Sequence, residues 1–364
     1  MVLFGSTGVA TAQSAREVVA AVYATSAVVP TNIRGVSTFN APPNQFNPLT
    51  ASDLELAAYG FPPRPSAQTD PEHYAQWTRA MKAAKMRWNG KLKDMGAYST
   101  AAKIVKTPNK SPISAVPSKG RSFNWSGIVN TNTLTSWNNN SSVYYVISDS
   151  NVPVAQPPFG TCDGGYDWEV SWNGIDGWTS GDVSQGGSSS QVFCSGNTYF
   201  TSYCGWVEWY PSYPILCEFC ISPGDDMYVE SYSPLGGFNE GFVYIEDMTT
   251  LTYRTYGLTY VTRSPLVGNS AEYIVERPCC RGSNLYPLAN YVWSFWANSK
   301  GVDFYHYHHG LPTQYHPGST SPTTLLVSMV DDLNTQVISV PAAQGKYGVF
   351  VYDKNCAFSG GCTP

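Results

Sequence analysis

At 364 residues the chain is long enough to bury a full core and longer than most single domains. Charged residues make up only 13% and aromatics 14%, with 25 Tyr, 32 Gly and 26 Pro, a composition that points to a β-rich globular protein with many turns. With a formal charge of −5 and no apolar run near the ~20 residues of a membrane helix, neither a nucleic acid nor a membrane is an expected partner.

The charge is unevenly spread. Residues 1–120 hold 13 Lys and Arg against 6 Asp and Glu, a net +7, while residues 121–364 hold 8 against 20, a net −12. No Lys or Arg occurs from Ser122 through Tyr253. A basic segment ahead of an acidic domain suggests that the two dock on each other. The nine cysteines (Cys162, Cys194, Cys204, Cys217, Cys220, Cys279, Cys280, Cys356 and Cys362) all lie in the acidic part, which fits several disulfides and an oxidising, extracellular setting. Their odd number leaves at least one thiol free or paired between chains.

In chain order, residues 1–12 read as a signal-peptide remnant or an ordinary N-terminus. Residues 13–110 read as mainly helical. Ser14 can cap a helix to about Ala24, and Ser52 another through Glu55 to Tyr59. Asp70-Pro71-Glu72 predicts a third, running to about Trp88, with Tyr74, Trp77, Met81, Ala84 and Trp88 on one stripe. Residues 111–120 belong to a Pro/Lys/Ser-rich linker. From Arg121 to the end, short alternating runs separated by Gly, Asn, Ser and Pro predict an all-β domain, an antiparallel β-sandwich of the concanavalin-like or jelly-roll type. The expected strands are 122–129, 142–148, 167–173, 191–193, 205–210, 215–221, 227–231, 241–247, 250–262 and 270–276.

Several of these strands carry acids and aromatics on one face. Trp206, Glu208 and Tyr210 share a parity, as do Trp172 and Asp176, and Asn124 and Ser126 flank Trp125. In SAEYIVE (270–276), Glu272 and Glu276 share a face, which is either a solvated sheet face or the seat of a working carboxylate. Surfaces that are aromatic, acidic and hydroxyl-rich together suit a concave binding site better than a dry core.

NWSG (124–127), WNGIDG (172–177) followed by Gln185-Gly186, WVEWYP (206–211), PGD (223–225) and SAEYIVE (270–276) occur in the order seen in the glutamic peptidase (eqolisin) family, which residues 122–280 resemble. The resemblance implies a sandwich of two large antiparallel sheets and synthesis as a precursor. It also implies hydrolysis of proteins at acid pH by a Gln/Glu dyad, here Gln185 and Glu276. Residues 13–110 would be the propeptide and intramolecular inhibitor, 111–120 the processing linker, and 121–364 the mature secreted, monomeric enzyme acting on protein and peptide substrates. Trp172, Asp176, Trp206, Glu208 and Tyr210 would line the cleft. Departures from the family pattern cluster around the glutamine: Ser184 where an apolar residue is usual, the doublet Gly186-Gly187, and the run Ser188–Ser190.

The chemistry is coherent on its own terms. One carboxylate can serve first as base for water and then as acid for the leaving amine, and a glutamine amide is a neutral oxyanion donor. No cofactor is needed. Cys217 and Cys220 read as disulfide or core cysteines rather than a metal or redox pair. The His306–His316 cluster, with His308, reads as surface or interface histidines rather than a metal site. Two other readings remain open: a β-sandwich glycoside hydrolase using Glu208 and Glu276, and a lectin-like binding module without catalysis.

Overall fold

The computed structural model describes residues 28–106, 118–138, 140–158, 165–233, 240–259, 266–281, 284–303, 306, 315–319 and 323–354. The stretch 1–12, the expected helix at Ser14–Ala24, most of the 111–120 linker, Cys162 and His308 lie outside these residues.

Two layers of antiparallel strands face each other. The first runs laterally from Leu216–Cys220 through Thr198–Tyr210, Val183–Ser195, Gly165–Ile175, Ser270–Glu276 and Trp125–Thr131 to Thr324–Val330. The second runs from Gly348–Asp353 through Trp293–Asp303, Val143–Asn151, Asp226–Tyr232 and Glu240–Asp247 to Thr252–Thr259. Val337–Gln344 pairs with a strand of each layer and carries the hydrogen bonding from one to the other. This is the expected β-sandwich.

Strand alternation decides what each face does. Ala271, Tyr273 and Val275 point inward and pack with Ile128, Val207, Val229 and Val243 in the core between the layers. Ile274, one residue out of phase, packs with Trp125, Trp172 and Trp206 on the outer face of the first layer. All seven residues of Ser270–Glu276 are nonetheless buried, so the solvated-face reading of this strand does not hold.

The N-terminal segment covers both outer faces. Helices occupy only Asp53–Ala58 and Pro71–Ala83 within residues 28–106, so the segment is not mainly helical. The first helix has a reciprocal capping box between Ser52 and Glu55. The second starts at the Asp70 cap with Pro71 at its first turn, but stops at Ala83 rather than near Trp88. The reason is a competing partner: Met86–Arg87 pairs with Thr252–Tyr253 as a parallel edge strand. Buried Phe39, Leu56, Phe61, Trp77 and Met81 pack on Tyr144, Tyr228, Tyr244 and Tyr253 of the second layer. Each fully buried aromatic of this kind contributes roughly 1.5–3 kcal/mol. Among the described residues one ion pair, Arg79 to Asp149, joins the segment to the sandwich. The contact is therefore mainly apolar and backbone in character, and less electrostatic than the charge split suggests. Ser118–Ser122, at the end of the expected linker, is already a sheet strand, parallel to Leu325–Met329.

Cys204 and Cys217 form a disulfide between neighbouring strands, with Cα atoms 5.7 Å apart. Cys194 and Cys279 each take part in a disulfide of their own, while Cys220 is a free, exposed thiol.

Candidate active site

The site lies on the outer face of the first layer, where Gln185, Glu208 and Glu276 project from three strands. Gln185 pairs in register with Glu208 on one side and Gly174 on the other. The absence of a side chain at Gly174 leaves this face open beside Gln185; a Cβ there would approach the Gln185 Cβ to 3.0 Å. Gln185 sits within a 13-residue strand, Val183–Ser195, far longer than the expected 191–193. The doublet Gly186-Gly187 belongs to that pairing. A Cβ on Gly187 would meet the Ser171 carbonyl oxygen at 2.0 Å and Trp172 Cα at 2.7 Å, both backbone atoms that cannot swing aside. Replacing Gly187 by Ala is therefore expected to lower stability by about 1–3 kcal/mol, read as a shift of the urea midpoint at unchanged slope.

Residues 92–106 cross this face and bury it. Lys93–Asp94 pairs with Leu216–Cys217, and Tyr98 exchanges backbone hydrogen bonds with Cys279 at 3.2 and 2.7 Å. Between these anchors and Ile104, which bridges to Ser122, Ser99 and Thr100 lie directly on the acidic residues. The Ser99 carbonyl oxygen accepts from Gln185 Nε2 at 2.9 Å. The Thr100 N–H donates to Glu276 Oε1 at 2.8 Å. The Ser99 N–H donates to Glu208 Oε2 at 2.9 Å. The Ser99 hydroxyl touches Glu276 Oε2 and lies 3.1 Å from Gln185 Oε1. Asn124 Nδ2 and Trp172 Nε1 complete the cradle, each donating to Glu276 at 3.1 Å.

Burial pushes the Glu276 carboxyl up to about 8, against the opposing pull of the donors from Ser99, Thr100, Asn124 and Trp172. Proton counting agrees. The Ser99 hydroxyl carries one hydrogen and faces two acceptor oxygens, Gln185 Oε1 and Glu276 Oε2. Both contacts are hydrogen bonds only when Glu276 itself carries a proton and donates it to Ser99 Oγ. Glu208 is likewise pushed well above the ordinary carboxyl range, first by burial and then by the nearby Glu276.

The other expected cleft residues divide. Trp172 reaches Glu276 directly. Trp206 belongs to the tryptophan-rich cluster beneath the crossing segment, together with Ala97. Tyr210 meets Tyr98 edge-on, with ring centroids 6.1 Å apart. Asp176 does not line the cleft. The strand ends at Ile175 and the chain turns at Asp176 with φ 71°, so parity no longer carries its side chain to the strand face. Its carboxylate instead accepts backbone N–H groups of Val267, Gly268 and Asn269 at 2.5, 2.9 and 2.6 Å, holding that loop. Glu272 is buried near Asp176 and Asp182. Two contributors escaped the sequence reading: Asn124, known there only as a neighbour of Trp125, and the pair Ser99-Thr100 in the run AYSTAA (97–102).

Residues 123–300 match the Peptidase A4 family. This domain belongs to the glutamic peptidase (eqolisin) family. The A4 domain is accordingly a peptidase of the glutamic type. Among solved structures, the chain is similar to scytalido-glutamic peptidase with a transition-state analogue inhibitor (20% identity, 63% of this chain and 98% of that chain, TM-score 0.48). It is also similar to SCP-B, an eqolisin-family peptidase in complex with the tripeptide Ala-Ile-His (17% identity, 63% and 98%, TM-score 0.46). A third similar structure is aspergilloglutamic peptidase from Aspergillus niger (23% identity, 51% and 99%, TM-score 0.41). No curated protein matches the chain.

Proposed function

We propose that the protein is an acid-active endopeptidase, secreted as a monomeric zymogen, that hydrolyses peptide bonds with Gln185 and Glu276. Residues before about 120 serve as its intramolecular inhibitor, consistent with a cleft-covering segment that contacts both layers. One observation carries the reading: Gln185 and Glu276 both hydrogen-bond a single peptide unit of the chain's own N-terminal segment. In an open cleft Glu276 is rehydrated and its pKa returns toward the ordinary value near 4.3. Ionised, it takes a proton from water as the water attacks the carbonyl carbon. Gln185 Nε2 stabilises the oxyanion, and protonated Glu276 then delivers its proton to the leaving nitrogen. Asn124 and Trp172 hold the carboxylate in place.

The nearness of Glu208 to Glu276 is the observation that favours a second reading, a glycoside hydrolase built on that carboxyl pair. Acid-treated protein incubated with denatured casein and with β-glucans separates the two. Peptides from casein, no sugar from glucan, and a maximum rate well below neutrality are expected. Sugar release would replace the peptidase reading, and the absence of both products would leave a binding module.

A further inference from the structure

We infer that residues 97–102 lie in the cleft in the register of a substrate, with Ser99–Thr100 as the bond presented for hydrolysis, and that the Ser99 hydroxyl stands where the attacking water must sit. The inference rests on the Gln185/Glu276 reading and deepens it.

Three contacts define the register. Gln185 Nε2 is 2.9 Å from the Ser99 carbonyl oxygen, the atom that becomes negative on attack. Glu276 Oε1 is 2.8 Å from the Thr100 nitrogen, the atom that leaves as an amine. Between them, Ser99 Oγ touches Glu276 Oε2 and lies 3.1 Å from Gln185 Oε1. A water activated by Glu276 and oriented by Gln185 needs those same two oxygens. The hydroxyl satisfies them without being able to react. Attack by a serine oxygen on its own carbonyl carbon would close a strained four-membered ring. Ser99 is fully buried.

The flanking contacts give the orientation of the bound peptide. On the acyl side Ala97 accepts from the Ile215 N–H at 2.7 Å, and Tyr98 pairs with Cys279 and packs on Tyr210. On the amine side the Thr100 carbonyl accepts from Trp125 Nε1 at 2.9 Å, and the Ala102 N–H donates to Gly177 at 2.9 Å. The ligand this cleft takes is an extended peptide with small side chains beside the cut, its N-terminal part toward Tyr210 and its C-terminal part toward Trp125.

Removing the hydroxyl lets Glu276 be hydrated and ionise, and admits the attacking water. As its oxygen bonds to carbon 99, Glu276 takes one of its protons and the carbonyl π pair moves onto the oxygen held by Gln185. When the C–N bond breaks, the Thr100 nitrogen keeps the electron pair and receives that proton from Glu276. The products are a carboxyl at 99 and a free amine at 100.

The test uses the full chain carrying S99A or S99G, held in acid and followed by intact mass and N-terminal sequencing. Loss of the intact chain with a new N-terminus at Thr100, at a rate independent of protein concentration, is expected. The unsubstituted chain and the S99A/E276Q chain should keep this bond. A synthetic peptide of residues 95–105, added to acid-activated protein, gives the same comparison free of folding. The natural peptide should inhibit casein cleavage and stay whole, and its S99A form should be cut after position 99. An intact 99–100 bond in both variants and in the S99A peptide, from protein that still cleaves casein, overturns this inference and leaves the peptidase reading standing. Equal cutting of the natural sequence also overturns it. Protein that cleaves neither casein nor either peptide removes the reading beneath it.

Discussion

Peptide hydrolysis should fall by a factor on the order of 10²–10⁴ when Glu276 is replaced by Gln, because the side chain keeps its size but can no longer accept or return a proton. The amide can still accept from Thr100 and Asn124 through its oxygen. Its nitrogen then faces the Trp172 Nε1–H, so one of the cradle bonds becomes a donor–donor contact. Glu272→Gln is the control. Burial, aided by the nearby Asp176 and Asp182, pushes the Glu272 carboxyl well above its ordinary range, so an acidic assay meets it uncharged. Exchanging a neutral acid for a neutral amide of the same shape should change kcat/KM little. Gln185→Ala removes the oxyanion donor and should cost on the order of 10²–10³ in kcat. Kinetics on one casein-derived peptide, with thermal unfolding run alongside to exclude loss of fold, rank the three. A larger loss at Glu272 than at Glu276 would show that the base is the first glutamate of the strand.

Local pattern carried the sequence reading as far as local pattern reaches. Ser270–Glu276 is read with its observed ends because period-two alternation and its flanks lie within the strand itself. Val183–Ser195 is not, since SQGGSSS has the composition of a loop. It is a strand because long partners flank it on both sides and because only glycine fits against the Ser171 backbone. The helix from Asp70 was overextended for the matching reason: its start is fixed by a local cap, its end by an edge strand more than 160 residues away in sequence. At the site, the family motifs bring Gln185 and Glu276 into view, and the alternation of WVEWYP brings Glu208. Nothing in AYSTAA marks Ser99, because an inhibitory serine differs from any other small residue only in what lies opposite it.

Release of the N-terminal segment should become easier as pH falls below the ordinary carboxyl range near 4.3, and His73 should be the group responsible. In the docked state His73 is buried under the second layer, its Nδ1 2.9 Å from the Tyr145 hydroxyl and 3.8 Å from Asp70 Oδ2. Burial, reinforced by the Lys300 charge and only partly opposed by Asp70, lowers its pKa to about 3. A released segment exposes the ring to water, where the value is near 6.5. The docked form therefore binds fewer protons at His73, so the advantage this group gives is complete above pH 6.5 and is lost as pH drops toward about 3. Glu276 works in the opposite direction. Its carboxyl is raised to about 8 while covered, so closing the cleft takes up a proton and becomes easier as pH falls from 8 toward the ordinary carboxyl range. Asp149, beside Arg79, is also raised by burial rather than lowered by its partner, so loss of that ion pair on acidification does not drive release at this point. His73→Asn keeps a neutral hydrogen-bonding group against Tyr145 and removes the titration. Segment release, followed by limited proteolysis between pH 7 and pH 3, should accelerate in acid for the natural protein and lose most of that acceleration in the variant. Equal acid acceleration in both would assign the trigger to another group of the segment instead of to the helix that carries His73.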